Sequence, residues 1–203
     1  MIANWRPHDL LWARELPNDS ALPDWVCPQW LAMAPLVVRR APAVAGRIAV
    51  GLRGMARNQR HATEVEASAV LRCVTPEMLA TSVPAWPDCP AIEALHRLKP
   101  LLDSTGWPWG PTGGVGFALA SGLPVLRPDS DLDLVLRMDC PPDTAQAAAL
   151  RSIAASVTSC RLDLQIDTGL GGFAYAEWAA GRTRVLLKTD HGPVLTASPW
   201  EQL

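Results

Sequence analysis

The sequence predicts an α+β protein in two parts: a smaller β-rich part over residues 1–82, then a mixed sheet with helices over residues 83–203. Three observations lead there. Short β-type segments bounded by proline and glycine dominate the first part, with no sustained helical period. Val83-Pro-Ala-Trp-Pro-Asp-Cys-Pro90 then crowds three prolines and a tryptophan into eight residues, the clearest boundary in the chain. Beyond it, segments with alternating apolar residues are separated by stretches at helical spacing. The chain of 203 residues is long enough to bury a real core.

Taken in order, Pro7-His-Asp-Leu-Leu-Trp12 carries few helix or turn signals and is expected to enter a sheet. Residues 17–35 hold Pro17, Pro23, Pro28 and Pro35 and read as loop with one short helical piece near Trp30. Leu36-Val-Val-Arg-Arg40 and Gly46-Arg-Ile-Ala-Val-Gly-Leu-Arg53 read as strands joined by a Pro/Gly turn, with Gly54 breaking the second. Glu64 to Val74 fits neither period cleanly, and a strand is preferred to a helix. Thr75-Pro-Glu-Met-Leu is a helix start with proline in the first turn.

In the second part, Ile92, Leu95 and Leu98 sit at helical spacing in a segment expected to close at Pro100. Leu101 to Gly110 connects to a strand and turn at Trp107-Pro-Trp109-Gly110. Phe117-Ala-Leu-Ala-Ser121 is a short helix ended by Gly122. Leu132, Leu134 and Leu136 alternate as a strand, Asp143 to Val157 is an alanine-rich helix, and Arg161-Leu-Asp-Leu-Gln-Ile166 is a second strand. Gly169-Leu-Gly-Gly172 reads as a hairpin turn, because it lacks the Lys-Ser/Thr of a phosphate loop. Gly181 to Lys188 is a third strand, expected at the sheet edge.

Composition bounds the function. Hydrophobic residues make up 49% and charged ones 19%, which suits a globular chain and not a disordered one. No apolar run reaches the length of a membrane span, and Met1-Ile-Ala-Asn-Trp-Arg lacks a signal-peptide layout, so a cytoplasmic protein with no membrane partner is expected. Five scattered cysteines without a CxxC point to buried free thiols, not a disulfide framework or zinc site. Between Trp25 and Thr63 stand six arginines (Arg39, Arg40, Arg47, Arg53, Arg57, Arg60) and no acid. Coding bias explains arginine over lysine, since only Lys99 and Lys188 are lysines, but it does not explain the missing acids. The segment is either the wall of a polyanion site or merely a solvated stretch. Without a long basic surface or a nucleic-acid-binding motif, no nucleic acid is expected.

The chemistry concentrates in Arg127-Pro-Asp-Ser-Asp131-Leu-Asp133-Leu-Val-Leu-Arg137. Residues two apart on a strand share a face, so Asp131 and Asp133 stand together while the leucines point into a core. Two ionised carboxylates side by side repel and lose hydration, and a hard divalent cation such as Mg²⁺ relieves both costs. Upstream, Gly113-Gly114 allows backbone N–H groups to approach a phosphate closely. Asp163 lies on the polar face of its own strand and joins as a third carboxylate if the two strands pair. The set suggests metal-assisted phosphoryl or nucleotidyl transfer.

Each piece has a plainer alternative. Asp131 and Asp133 can be a solvated strand end, and Asp163 a surface residue. A calcium loop starting at Asp129 is excluded by Leu134 and Cys140, where glycine and glutamate belong. Arg53, Arg57 and Arg60 either bind phosphate or stay solvated. Lys188 is either an edge-strand charge or a phosphate contact, and His191 reads as a loop residue. The tryptophans read as core, with one able to stack on an adenine.

Glycine turn, Asp-x-Asp, then Asp on a later strand resembles the polymerase-β-like nucleotidyltransferase superfamily, although the sixteen residues between Gly114 and Asp131 exceed its usual gap. Within it, Gly113-Gly-Val-Gly-Phe-Ala-Leu-Ala-Ser-Gly-Leu-Pro-Val-Leu-Arg-Pro-Asp-Ser-Asp-Leu-Asp-Leu134 closely resembles the phosphoribosyl-dephospho-CoA transferases that serve malonate decarboxylase. Pro7-His-Asp-Leu-Leu-Trp12, Val50-Gly-Leu-Arg-Gly54, Asp163-Leu-Gln, Gly171-Gly-Phe-Ala-Tyr-Ala-Glu-Trp178 and Val185-Leu-Leu-Lys-Thr-Asp-His-Gly-Pro193 extend the likeness over nearly the whole chain. One departure is Gly113-Gly114, where many relatives have Gly-Ser.

The resemblance implies a nucleotidyltransferase-like second domain and attachment of a prosthetic group. The donor would be 2′-(5″-triphosphoribosyl)-3′-dephospho-CoA, the acceptor a serine of the apo acyl carrier subunit of malonate decarboxylase, and the leaving group pyrophosphate. It further implies Mg²⁺ held by Asp131, Asp133 and Asp163, with Asp163 also helping to deprotonate the serine. Gly113, Gly114, Arg53, Arg57 and Lys188 would contact phosphates, in a groove between the two parts. Two other readings are a nucleotidyltransferase adding NMP to another protein or small molecule, and a non-catalytic binding or scaffolding subunit. The presence of all three acids disfavours the last.

Overall fold

The computed structural model describes residues 5–16, 22–81, 83 and 89–202. Its first sheet is antiparallel and comprises β1 (Leu10–Ala13), β2 (Leu36–Val38), β3 (Arg47–Arg53), β4 (Arg60–Glu66) and β5 (Val70–Val74), in the order β4-β3-β2-β1-β5. Alternation decides its faces. Ile48, Val50 and Leu52 of β3 join Leu11, Leu36, Val38 and Val65 in one core. Leu10, Val37, Gly51 and Arg53 lie on the other face. Short helix α1 (Pro28–Met33) links β1 to β2, with Pro28 in its first turn.

The single strand expected between Glu64 and Val74 is two strands. A 3₁₀ turn at Ala67–Ala69 separates β4 from β5, which lie at opposite edges of the sheet. Three residues span those edges only if the sheet curls, and the curl scrambles the local period. Helix α2 (Pro76–Thr81) follows and crosses directly over the second sheet. Its Pro76 carbonyl occupies the space a side chain at Gly110 would need, so only glycine permits the crossing.

The second sheet is mixed: β6 (Trp109–Pro111), β7 (Leu132–Arg137), β8 (Leu162–Asp167), β9 (Gly172–Ala174), β10 (Val185–Thr189) and β11 (Gly192–Thr196), in the order β11-β10-β9-β8-β7-β6. Only β7 and β8 run parallel among the paired strands described. Parallel neighbours need a crossover, supplied by α5 (Thr144–Ala155), which starts at a capping box between Asp143 and Gln146. Helix α3 (Pro90–Asp103) lays Ile92, Leu95, Leu98 and Leu102 against Leu132, Leu134 and Leu136, all essentially inaccessible. Helices α4 (Gly113–Ser121) and α6 (Tyr175–Ala179) complete the chain.

Further expectations need correction, the cysteines among them: only Cys89 is buried, Cys73 and Cys160 are half-buried, and Cys27 and Cys140 are exposed. Helix α3 runs through Pro100 to Asp103, because burying Leu102 and bonding the Asp103 carboxylate to Trp109 Nε1 at 3.0 Å outweigh one missing backbone donor. Helix α4 begins at Gly113, not at Phe117. Strand β10 is internal, flanked by β9 and β11. Neither β9 nor α6 nor β11 was expected from periodicity. The proline cluster at 84–88 lies outside the described residues. The other short elements fall where expected, and Gly122 ends α4 in the left-handed conformation, φ 71°.

A buried ion cluster joins the sheets. Arg137 of β7 is register partner to Asp167 of β8, and its Nη1 donates to the Asp167 carboxylate. Arg137 Nε donates to Glu77 of α2 at 3.1 Å and Nη2 to the Pro7 carbonyl at 3.2 Å. Arg40 reaches Asp167 at 2.8 Å, and Arg6 reaches Glu77 at 3.1 Å. Arg137 and Asp167 have side chains only 8% and 6% exposed. Burial pulls the Asp167 pKa up, but Arg40, the Gly169 N–H and Arg137 outweigh it and hold the carboxyl below its ordinary value.

Candidate active site

Asp133 and Asp163 are direct register partners on β7 and β8. Asp131 immediately precedes β7, half-buried, with Arg161 3.8 Å away at the surface. The three acids therefore gather at one end of the only parallel strand pair described. Asp133 is the most enclosed. Burial raises its pKa first, and Asp163 and Asp131 raise it further, while the Gly114 N–H and Arg53 oppose them. Among the described residues no three His, Cys, Asp or Glu side chains close into a ready metal cage.

The glycines act on Asp133 as well as on the cleft. Gly113 has φ 54°, and a side chain there would overlap the Asp133 carboxylate. The Gly114 N–H, in the first turn of α4, faces that carboxylate closely enough to favour its charged form. Gly113→Ala is expected to displace Asp133 and slow the reaction by about 10², a loss of the size a 1 Å misplacement produces. Kinetics beside an unchanged melting temperature check this.

The facing wall comes from the first sheet. Two adjoining hollows share Arg53, Arg60, Gly113 and Asp133, and so form one cleft between the sheets. Arg53 is half-buried, stacks over Phe117 at 5.1 Å, and stands within 3.5 Å of the space beside Gly114. Burial first, then Arg60, push its pKa down to about 10, with Asp133 acting against them. Arg57, Arg60, Arg127 and Asp129 line the outer hollow.

Of the predicted site residues, Asp131, Asp133, Asp163, Gly113, Gly114, Arg53 and Arg57 all line this cleft. Lys188 does not: it is exposed on β10. The acid-free arginine segment divides in use. Arg53, Arg57 and Arg60 face the cleft, Arg40 is spent in the buried ion cluster, and Arg47 pairs with Glu64 and Glu66 across β3 and β4. The described tryptophans are buried or half-buried, and none lines the cleft. Three residues that line it carried no assignment from sequence: His8, Gln165 and Arg127. Arg127 and Gln165 flank the acids in sequence, a signal that was there to use. His8 had none beyond its segment's likeness to relatives.

The family model for the phosphoribosyl-dephospho-CoA transferase MdcG C-terminal domain matches residues 78–199, and that for its N-terminal domain matches residues 6–76. The chain belongs to this family. It is a transferase. Similar proteins named phosphoribosyl-dephospho-CoA transferase include one from Pseudomonas aeruginosa, 46% identical over 198 residues, covering 96% of this chain and 93% of the relative. A relative from Klebsiella pneumoniae is 44% identical over 209 residues, covering 100% and 99% of the two chains. One from Azotobacter vinelandii is 43% identical over 203 residues, covering 98% and 95%. No solved structure matches the chain. No helix among the described residues is long and apolar enough to cross a membrane.

Proposed function

We propose that this protein transfers the phosphoribosyl-dephospho-CoA group of 2′-(5″-triphosphoribosyl)-3′-dephospho-CoA to a serine of the apo acyl carrier subunit of malonate decarboxylase, releasing pyrophosphate. The observation that carries the reading is the cleft itself: acids on the β7–β8 end, arginines from the first sheet opposite, and a glycine turn between them. Such separation of charge suits a triphosphate accompanied by its metal. Nothing in the reading calls for nucleic acid or a membrane, and the reaction belongs in the cytoplasm.

Mg²⁺ is the cofactor that the donor set fits. Burial first, then repulsion from Asp163 and Asp131, hold Asp133 above its ordinary pKa, a strain that a cation relieves. Mg²⁺ is commonly held by one or two carboxylates plus substrate phosphates and water, a role that Asp131 and Asp133 would fill. Asp131 and Asp133 would be the principal ligands, with Asp163 alongside. Bound there, Mg²⁺ supplies charge neutralisation at the reacting phosphate and its leaving group.

The chain's own residues do the rest. Arg53, held by stacking on Phe117, presents its guanidinium to the phosphates, and exposed Arg57 and Arg60 extend that wall outward. The glycines keep the start of α4 against Asp133, so that phosphate approaches amides and carboxylates together. The outer hollow leaves a path for a carrier serine.

The test is direct: incubate the protein with Mg²⁺, the triphosphoribosyl donor and apo carrier subunit, then measure the carrier's intact mass. The prosthetic-group increment supports the reading. A nucleotide increment from NTPs instead selects NMP transfer, and an unchanged mass leaves a binding or scaffolding subunit. Omitting Mg²⁺ is expected to abolish the increment.

A further inference from the structure

The cleft face of the first sheet continues past the active site. A third hollow of about 390 Å³ opens there and shares Val37 and Arg60 with the inner hollow beside Asp133. Its floor is one cross-strand row: Val37 pairs with Gly51, and Gly51 with Ala62, across β2, β3 and β4. Arginines flank the row on the same face. Arg60 stands two residues before Ala62, and the stem of Arg39 reaches the space above Gly51.

Gly51 is the informative residue. Glycine weakens a strand interior and persists there for a bulge, a close approach of other backbone, or a ligand. The first two reasons are missing. The β3–β4 ladder runs from Arg47–Glu66 to Arg53–Arg60 without a register shift, and Gly51 has no positive φ. A side chain at Gly51 would meet nothing closer than the movable Arg39 stem at 3.4 Å, with the Val37 carbonyl at 3.9 Å, which are ordinary contacts. Gly110 and Gly113, by contrast, are forced by the atoms around them. The protein's own packing leaves Gly51 unexplained, and a ligand explains it.

Charge says which ligand. Arg39 and Arg60 are exposed, and neither pairs with an acid among the described residues. The acids farther along this face, Glu64 and Glu66, are taken by Arg47 at 3.3 and 3.0 Å. A floor of small residues admits a flat ring, and guanidinium groups both stack on rings and pair with phosphates. The donor has two separate sets of phosphates. Its triphosphate belongs with the three acids and their metal, whereas its dephospho-CoA half carries an adenosine 5′-diphosphate that needs cations of its own.

We propose, building on the transfer reaction above, that the Val37–Gly51–Ala62 trough binds the adenosine diphosphate part of the donor, with Arg39 and Arg60 on its phosphates. Arg60 borders both hollows and so stands between the two sets of phosphates. The trough selects a nucleotide-bearing donor over a bare triphosphate, a choice the acids alone cannot make.

Calorimetry with two probes tests this: 3′-dephospho-CoA, and pyrophosphate with Mg²⁺. Gly51→Val fills the trough with a residue suited to a strand, and is expected to weaken 3′-dephospho-CoA roughly tenfold, the scale of overpacking a filled site. Arg39→Ala is expected to weaken it by about tenfold, the worth of one charge-assisted hydrogen bond. Both variants are expected to keep the wild-type affinity for pyrophosphate, and donor KM is expected to rise with kcat nearly unchanged. Arg39→Ala, which alters only an exposed side chain, decides alone if Gly51→Val does not fold. Wild-type affinity for 3′-dephospho-CoA in the folded variants overturns the proposal, as does an equal loss of both probes. A wild-type protein that binds 3′-dephospho-CoA in an Arg39-dependent way yet never modifies the carrier removes the transfer reaction and keeps the nucleotide site.

Discussion

Asp133→Asn is expected to give a folded protein, thermally more stable than wild type without metal, that modifies the carrier roughly 10²–10⁴ more slowly. Both halves of that result come from one carboxylate. Burial and the facing Asp163 raise its pKa in the folded chain, so its ionised form is less favourable there than in the unfolded chain. The sign follows: the penalty exists at neutral pH and disappears as acid protonates the carboxyl. Removing the charge thus raises the melting temperature at pH 7 and leaves it nearly unchanged in acid. Mg²⁺ with pyrophosphate is expected to stabilise wild type and not the variant. Intact-mass kinetics and melting curves check both parts, and near-normal turnover by Asp133→Asn would refute the metal site as drawn.

Asp167→Ala is expected to cost about 3 kcal/mol of stability at pH 7, the lower end for breaking a buried ion pair. The lower end applies because Arg137 keeps Glu77 at 3.1 Å, while Arg40 loses its one acidic partner described. The Asp167 carboxyl titrates below its ordinary value when folded, so its contribution is present above the unfolded pKa and lost as pH falls through the folded one. Wild type should therefore approach the variant in acid. Urea unfolding at pH 7 and pH 3, with slopes compared to confirm two-state behaviour, reads the difference. Equal midpoints at pH 7 would show that the cluster does not hold the sheets.

How much of this was legible in the chain depended on how local each cause was. The leucine alternation of β7 and β8, the capping of α5 and the glycine stop of α4 are short-range signals and could be read directly. The acids could be placed on their strands, but that Asp133 faces Asp163 is a matter of register, which no single strand contains. Strand β9 has three residues, too few for a period. Arg40 resembled its neighbours until Asp167, 127 residues away, claimed it. His8 comes to line the cleft only through the docking of one sheet on the other.

The β7–β8 pair carries Asp133 with Asp163 near one end and Arg137 with Asp167 four residues along. Reaction and assembly thus draw on a single ladder of two strands. Hybrids that join the first part of one relative to the second part of another will therefore succeed or fail at Pro7 and Arg40. These positions must answer a foreign Arg137–Asp167 pair before any cleft exists. For this fold, the natural unit of recombination is the whole chain.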